Sequence, residues 1–261
     1  MQLLKNWFVI DVELKIIKTQ TMRILQITIA ALVATILLTS CSDDFIKPSK
    51  NITTENRQVP AFTEIMAADF IKVYIKYSDS IQTVEVSAND NIQDKLITEV
   101  NNGQLAIKTK QGNLSINGDV TANVYITTTN ITRYIAKDQA SFNLNDMHEA
   151  SSLIIDIDDQ SEFVGDVKVN TLYAKTTDQA SLKLFGSADD FDITSNDQSE
   201  AHCFTMEIKN LTVTVEDQAT TEVNVINEIE ATTRDQGALF YQGNPTTTRF
   251  NIHDQSRIVR R

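Results

Sequence analysis

Seven aspartates carry the strongest chemical signal in the sequence. Asp-Gln occurs at Asp138, Asp159, Asp178, Asp197, Asp217, Asp235 and Asp254, followed in turn by Ala140, Ser161, Ala180, Ser199, Ala219, Gly237 and Ser256. The intervals are 21, 19, 19, 20, 18 and 19 residues. Carboxylates stacked about 5 Å apart repel by about 1 kcal/mol per neighbouring pair in water, and by several times that where water is scarce. Their spacing also puts each Asp in phase with the inward-facing apolar positions around it. Turn amides donating to the carboxylates, protonation of some members, or a row of Ca2+ ions would each relieve the repulsion. No second acidic column at a fixed offset accompanies the first, which favours a hydrogen-bonded corner ladder over metal. The acids recur identically, so no single coil is marked out as a carboxylate pair for glycoside cleavage.

Other candidate groups are sparse. His148, His202 and His253 are scattered, without ligands at metal-binding spacing, and read as solvated strand residues. Cys203 follows His202 directly, so the two face opposite sides of a strand and Cys203 reads as buried and inert. Neither a phosphate loop nor a nucleophile elbow is present. The expectation is therefore no catalytic residue, no dedicated metal site and no cofactor beyond weak Ca2+ along the ladder.

Between the Asp-Gln pairs, apolar and polar residues alternate with period two, as in Leu211, Val213 and Val215 before Asp217 and Thr221, Val223 and Val225 after it. Sustained helical stripes are missing. Each period reads as one coil of a β-solenoid with about two or three short strands, and seven coils would span roughly 30 Å. Upstream, Ile71, Val73 and Ile75 alternate, and Val84 and Val86 follow a turn at Ser78-Asp79-Ser80. Leu96–Val100 and Leu105–Ile107 flank Asn102-Gly103, the signature of a type I′ hairpin. Further turns are expected at Gln111-Gly112-Asn113 and Asn117-Gly118-Asp119. These early strands should pack on the solenoid or cap it, because an open end would expose unpaired edges. Asp79-Ser80-Ile81 also fits a short bacterial O-glycosylation pattern.

The first forty residues read as processing sequence. From Met22, a basic start at Arg23 leads into an apolar run, Ile24 to Leu38, which is short for a membrane span and ends in Leu38-Thr39-Ser40-Cys41. This resembles a bacterial lipobox, with Cys41 the lipidated residue. Residues 1–21 read as an upstream mis-start, 22–40 as the signal peptide and 41–56 as a polar, lipidated tether. Ser42, Asp43 and Asp44 resemble a surface-export signal of Bacteroidota lipoproteins. The net charge is −12; removing residues 1–40 takes four basic residues of 23 and two acidic of 35, leaving −14. That charge disfavours nucleic acid and anionic membrane surfaces, so acyl chains must provide any anchoring.

Residues Phe62-Thr63-Glu64-Ile65, Val73-Tyr74-Ile75, Val84 to Asp90, Thr98-Glu99-Val100, Gly103 to Ile107, Tyr241 to Pro245 and Ser256-Arg257-Ile258 resemble the auto-transporter adhesin head GIN domain family across about 57–261. The resemblance implies an all-β, right-handed parallel β-helix, here with about 19–20 residues per coil, a small packed β-region in front and the Asp-Gln coils in 130–261. It also implies a secreted or lipid-anchored protein of Bacteroidota. The family's corners are Ser/Gly-rich where this chain has Asp-Gln, so no corner chemistry carries over. The expected function is a non-catalytic, lipid-anchored, cell-surface β-helix of the outer membrane that binds a glycan or surface protein or acts as an envelope scaffold. The competing readings are a polysaccharide-processing enzyme on the same fold and a periplasm-facing structural lipoprotein. Oligomeric state is open.

Overall fold

The computed structural model describes residues 45–110 and 114–261. The segment 1–40, Cys41, Ser42, Asp43, Asp44 and the Gln111-Gly112-Asn113 turn lie outside the described residues. The described strands, in chain order, are β1 (Ile52–Asn56), β2 (Glu64–Ala67), β3 (Lys72–Tyr77), β4 (Thr83–Asn89), β5 (Leu96–Asn101), β6 (Gln104–Thr109), β7 (Ala122–Thr128), β8 (Arg133–Ala136), β9 (Ser141–Leu144), β10 (His148–Ile157), β11 (Glu162–Thr176), β12 (Ser181–Ser195), β13 (Glu200–Val215), β14 (Thr220–Thr233), β15 (Ala238–Gly243), β16 (Thr246–Ile252) and β17 (Arg257–Arg260); one helical turn, α1 (Asp90–Gln93), follows β4.

The result is a β-solenoid of about seven turns. Parallel pairing runs without interruption from β10 through β11, β12 and β13 to β14, and ends on β15, β16 and β17. The coil differs from the expected two or three short strands: β11, β12 and β13 are single strands of 15, 15 and 16 residues. They bend without leaving the ladder. In β11, Phe163, Gly165, Val167 and Val169 face inward, then the parity slips by one and Leu172, Ala174 and Thr176 do so. Two consecutive outward residues, Asn170 and Thr171, make the bend, and Asp189-Asp190 and Lys209-Asn210 repeat it in the next coils.

The upstream strands cap one end, as expected. β2 and β3 stack between β6–β7 and β8–β9 as a parallel coil. Beyond them the pairing turns antiparallel: β5 on β6, β4 on β7 and β1 on β4. The β5–β6 hairpin turns at Asn102 and Gly103 with φ of 51° and 80°, the type I′ pair. The tether needs correction. From residue 45 onward it is docked: β1 covers the edge of β4, Ile46 bridges Ile116, and Asn89 Nδ2 donates to the Ser49 carbonyl at 2.7 Å. An uncovered β4 would leave a row of unpaired amides and carbonyls.

The interior is a column of Ile, Val, Leu and Phe, with Tyr134, Phe142 and Phe163 packed edge-on or tilted against one another. Buried hydroxyls are bonded: Thr176 pairs with Ser199 and Thr221 with Ser195, both at 2.9 Å, while Ser161 donates to the Ala136 carbonyl at 3.3 Å.

Candidate functional site

Each Asp-Gln pair forms the centre of a β-turn. The carbonyl of the residue before Asp accepts the N–H of the residue after Gln, as in Ala180 N to Thr177 O (3.2 Å) and Ala219 N to Glu216 O (3.1 Å). Every Asp of the ladder has a positive φ, from 54° at Asp235 to 61° at Asp138 and Asp197. Asp is among the few residues that adopt this left-handed conformation at modest cost. The Gln N–H then donates to the Asp carbonyl of the preceding coil, at 2.8 Å for Gln198 to Asp178 and Gln236 to Asp217. The small residue that follows turns inward where the corner is narrow: a Cβ on Gly237 would lie 2.4 Å from the Val215 carbonyl oxygen.

This corrects the parity argument. The ladder aspartates are exposed rather than inward-facing, because the left-handed residue turns its side chain out while Ala180 or Ser199 resumes the inward position. An eighth member, Asp69 (φ 62°), heads the column, and Gln139 N donates to its carbonyl at 3.1 Å. It was hidden in the sequence because Phe70 stands where the others have Gln.

Carboxylate hydrogen bonds relieve repulsion in part. Asp159 accepts from the Asp138 amide (3.2 Å), and Asp69 from the Thr109 amide and hydroxyl (both 2.8 Å). Asp158, Asp159 and Asp178 bring carboxylate oxygens within 4.8 Å of one another. The Thr177 hydroxyl holds Asp158 below the usual carboxylate range, whereas the hydrogen bond shared with Asp158 raises Asp178. Ca2+ takes six to eight oxygens, which three carboxylates supply only if all bind bidentately or backbone carbonyls and water complete the shell.

Of the three histidines, His253 is exposed as expected, beside the last turn, whereas the other two are engaged. His148 is buried, stacked on Tyr77 at 4.5 Å, with neither ring nitrogen hydrogen-bonded among the described residues, and burial pushes its pKa down to about 4. His202 lies between Glu222 (3.0 Å) and Glu200 (3.1 Å) on an outer wall. Both ring nitrogens can donate only when the imidazole is protonated. Burial opposes that charge, but the bonds to Glu222 and Glu200 outweigh it and raise the pKa. Glu222 also accepts from Arg261 (3.1 Å), whose guanidinium lies 3.9 Å from the Phe240 ring centroid. Cys203 points inward as expected, its thiol pushed up to about 12 by burial.

One cavity lies away from the Asp-Gln corner. Just past the opposite bend, an open groove of about 290 Å3 crosses β11, β12, β13, β14 and β16. Register aligns Thr171, Asp190, Asn210 and Glu228 in one outward column, and Tyr173, Asp192, Thr212 and Glu230 in the next. Tyr173 is 47% exposed. Asn210 Nδ2 donates to Asp190 at 2.9 Å and Arg249 pairs with Glu230. Burial raises the pKa of Asp192, and neither it nor Glu228 has a hydrogen-bond or ion-pair partner among the described residues. A second hollow of about 360 Å3 lies towards the capped end, between Arg133, Lys137, Asp156, Asp158 and Lys175. Sequence reasoning missed the groove, because its residues follow no repeat and meet only through inter-coil register.

A family model, "Putative auto-transporter adhesin, head GIN domain", matches residues 61–245. Among solved structures the chain is similar to a "putative adhesin" of Bacteroides fragilis at 17% identity and TM-score 0.75, covering 82% of this chain and 98% of that one. It is similar to a "putative adhesin" of Parabacteroides merdae (15%, TM-score 0.65, 84% and 99%) and a "Putative lipid binding protein" of Parabacteroides distasonis (15%, TM-score 0.62, 84% and 100%). No curated protein matches. At these identities the structural likenesses establish the fold alone.

Proposed function

Since the chain belongs to the auto-transporter adhesin head GIN domain family, we propose that it is a non-catalytic binding module held at the outer face of the outer membrane by a lipid on Cys41. The observation that carries this reading is the wall containing the groove. Its outward side chains stay in register from β11 to β14, so polar groups repeat at the strand spacing of about 4.8 Å over a long, solvent-facing surface. Such a surface suits contact with an extended partner better than turnover of a small substrate. The most nucleophilic side-chain type, Cys203, is buried in the core with its thiol held protonated, and His202 is engaged by two carboxylates. The lipobox-like Leu38-Thr39-Ser40-Cys41 and the acidic residues behind it supply the address.

Protease shaving and epitope labelling of intact cells, with a periplasmic control protein, test the placement. Labelling on intact cells, together with loss of membrane association in Cys41→Ala, is the expected result. Labelling only after permeabilisation would make this a periplasm-facing scaffold instead.

A further inference from the structure

The groove past the bend holds a set of groups that the corner ladder lacks. Nearly half of the Tyr173 surface is in water, although an aromatic face is worth burying at about 25 cal/mol per Å2. Beside it stand hydrogen-bonding groups in two columns, with members about 4.8 Å apart from strand to strand and the columns about 6.6 Å apart along the strands. Asp190 and Asn210 fix each other at 2.9 Å, so one carboxylate oxygen and most of the amide's bonding capacity stay directed outward without further ordering cost. The side chains of Asp192 and Glu228 have no hydrogen-bond or ion-pair partner among the described residues. An apolar face flanked by acceptors, one of them fixed and two free to bond, is complementary to a pyranose, whose C–H face packs on the ring while its hydroxyls donate to the carboxylates in charge-assisted bonds. The volume, about 290 Å3, is at the lower end of ligand pockets, which run about 300–1,000 Å3, and so suits a single ring rather than a buried oligosaccharide.

The charge decides which sugar. Four carboxylates, Asp190, Asp192, Glu228 and Glu230, meet one nearby guanidinium, Arg249, already paired with Glu230. A uronate or sialyl-type carboxylate would enter a field in which carboxylates outnumber the cations and be repelled. A hydroxyl or a protonated amine would not.

We infer that the groove bounded by Tyr173, Asp192, Asn210 and Glu228 is a saccharide subsite that takes a neutral or amine-bearing pyranose and rejects acidic sugars. This rests on the reading of the chain as a surface binding module, and its test is independent of where the protein resides.

Saturation-transfer NMR and calorimetry on the full chain in detergent micelles would use cello-, manno- and malto-hexaose, the chitosan hexamer and hexagalacturonate. Binding of at least one neutral or amine-bearing probe, and at least tenfold weaker binding of hexagalacturonate, is expected. Tyr173→Ala and Asp192→Ala should each weaken the bound probe at least tenfold, while Tyr173→Phe and the opposite-wall variant Glu162→Gln leave it within twofold. Circular dichroism establishes that the variants are folded. Equal or tighter binding of hexagalacturonate, binding unaffected by Tyr173→Ala, or no binding of any neutral or amine-bearing probe overturns the subsite. None of these results bears on surface labelling, so the binding-module reading can stand when the subsite falls, and the reverse.

Discussion

Each coil turns at two kinds of corner, built on different principles. At the Asp-Gln corner one backbone conformation recurs seven times, with the same turn bond, and the Gln-to-Asp amide bonds link most coils to their neighbours. At the opposite bend, Asn170-Thr171, Asp189-Asp190, Lys209-Asn210 and Ile226-Asn227-Glu228 do the same job with unrelated residues, and the β13–β14 register shifts on the way. The first corner needs a left-handed residue, a demand that few side chains meet. The second needs only two or three outward positions in succession, which residues of many types supply. Residue identity is therefore constrained at the first and free at the second, and the groove lies beside the free one. In this molecule the loudest repeat marks architecture, and the candidate chemistry sits where the repeat is silent.

The largest expected effect lies on the irregular side. Gly186 in β12 has φ 93°, and a Cβ there would stand 2.1 Å from the Val167 carbonyl oxygen. Gly186→Ala should cost about 3 kcal/mol or more, or prevent folding, as read from the urea midpoint. A cost below 1 kcal/mol would mean that the walls give way more easily than their packing implies.

Next comes a wall effect that belongs to neither corner. His148 titrates at about 4 when folded and near 6.5 when unfolded, so the unfolded chain binds more protons between those values. Stability should fall as pH drops from 6.5 towards 4, by up to about 3 kcal/mol, and His148→Phe should flatten that slope in denaturation curves. His202 has the opposite sign: its pKa is raised, so its contribution is present below 6.5 and lost as pH rises through the folded value. An acid slope unchanged in His148→Phe would refute the assignment.

At the regular corner, Asp217 (φ 57°) tests whether conformation or carboxylate matters. Asp217→Val should cost about 1–2 kcal/mol and Asp217→Gly little or nothing. Equal losses in both variants would show that the carboxylate, not the backbone, holds the corner, and would erase the distinction drawn above. The smallest effect belongs to the groove: Tyr173→Ala should shift stability by no more than about 0.5 kcal/mol while removing the exposed ring. A larger loss would make Tyr173 a structural residue of the bend.

The type I′ hairpin at Asn102-Gly103, the seven coils and the inward Cys203 were all legible in the residues, because each depends on local conformation or on two-residue alternation. The orientation of the Asp ladder was not. Counting by twos across the turn points Asp178 inward, and only the left-handed φ turns it out. Asp69 escaped detection because Phe70 breaks the dipeptide while the turn persists. His148 was read as solvated; stacking on Tyr77 and the neighbouring coil buries it.

By itself the sequence determined the period, the strand alternation, the corner and the family, since these repeat locally and each copy reports on the others. The tertiary structure alone decided that Ile52–Asn56 dock on β4, that His202 meets Glu200 and Glu222, and that Tyr173 faces Asp192 beside Asn210. Those partners come from different coils or from the cap, or face one another only once the strand folds. Their meeting is set by stacking register, a long-range property that no short stretch of the chain encodes.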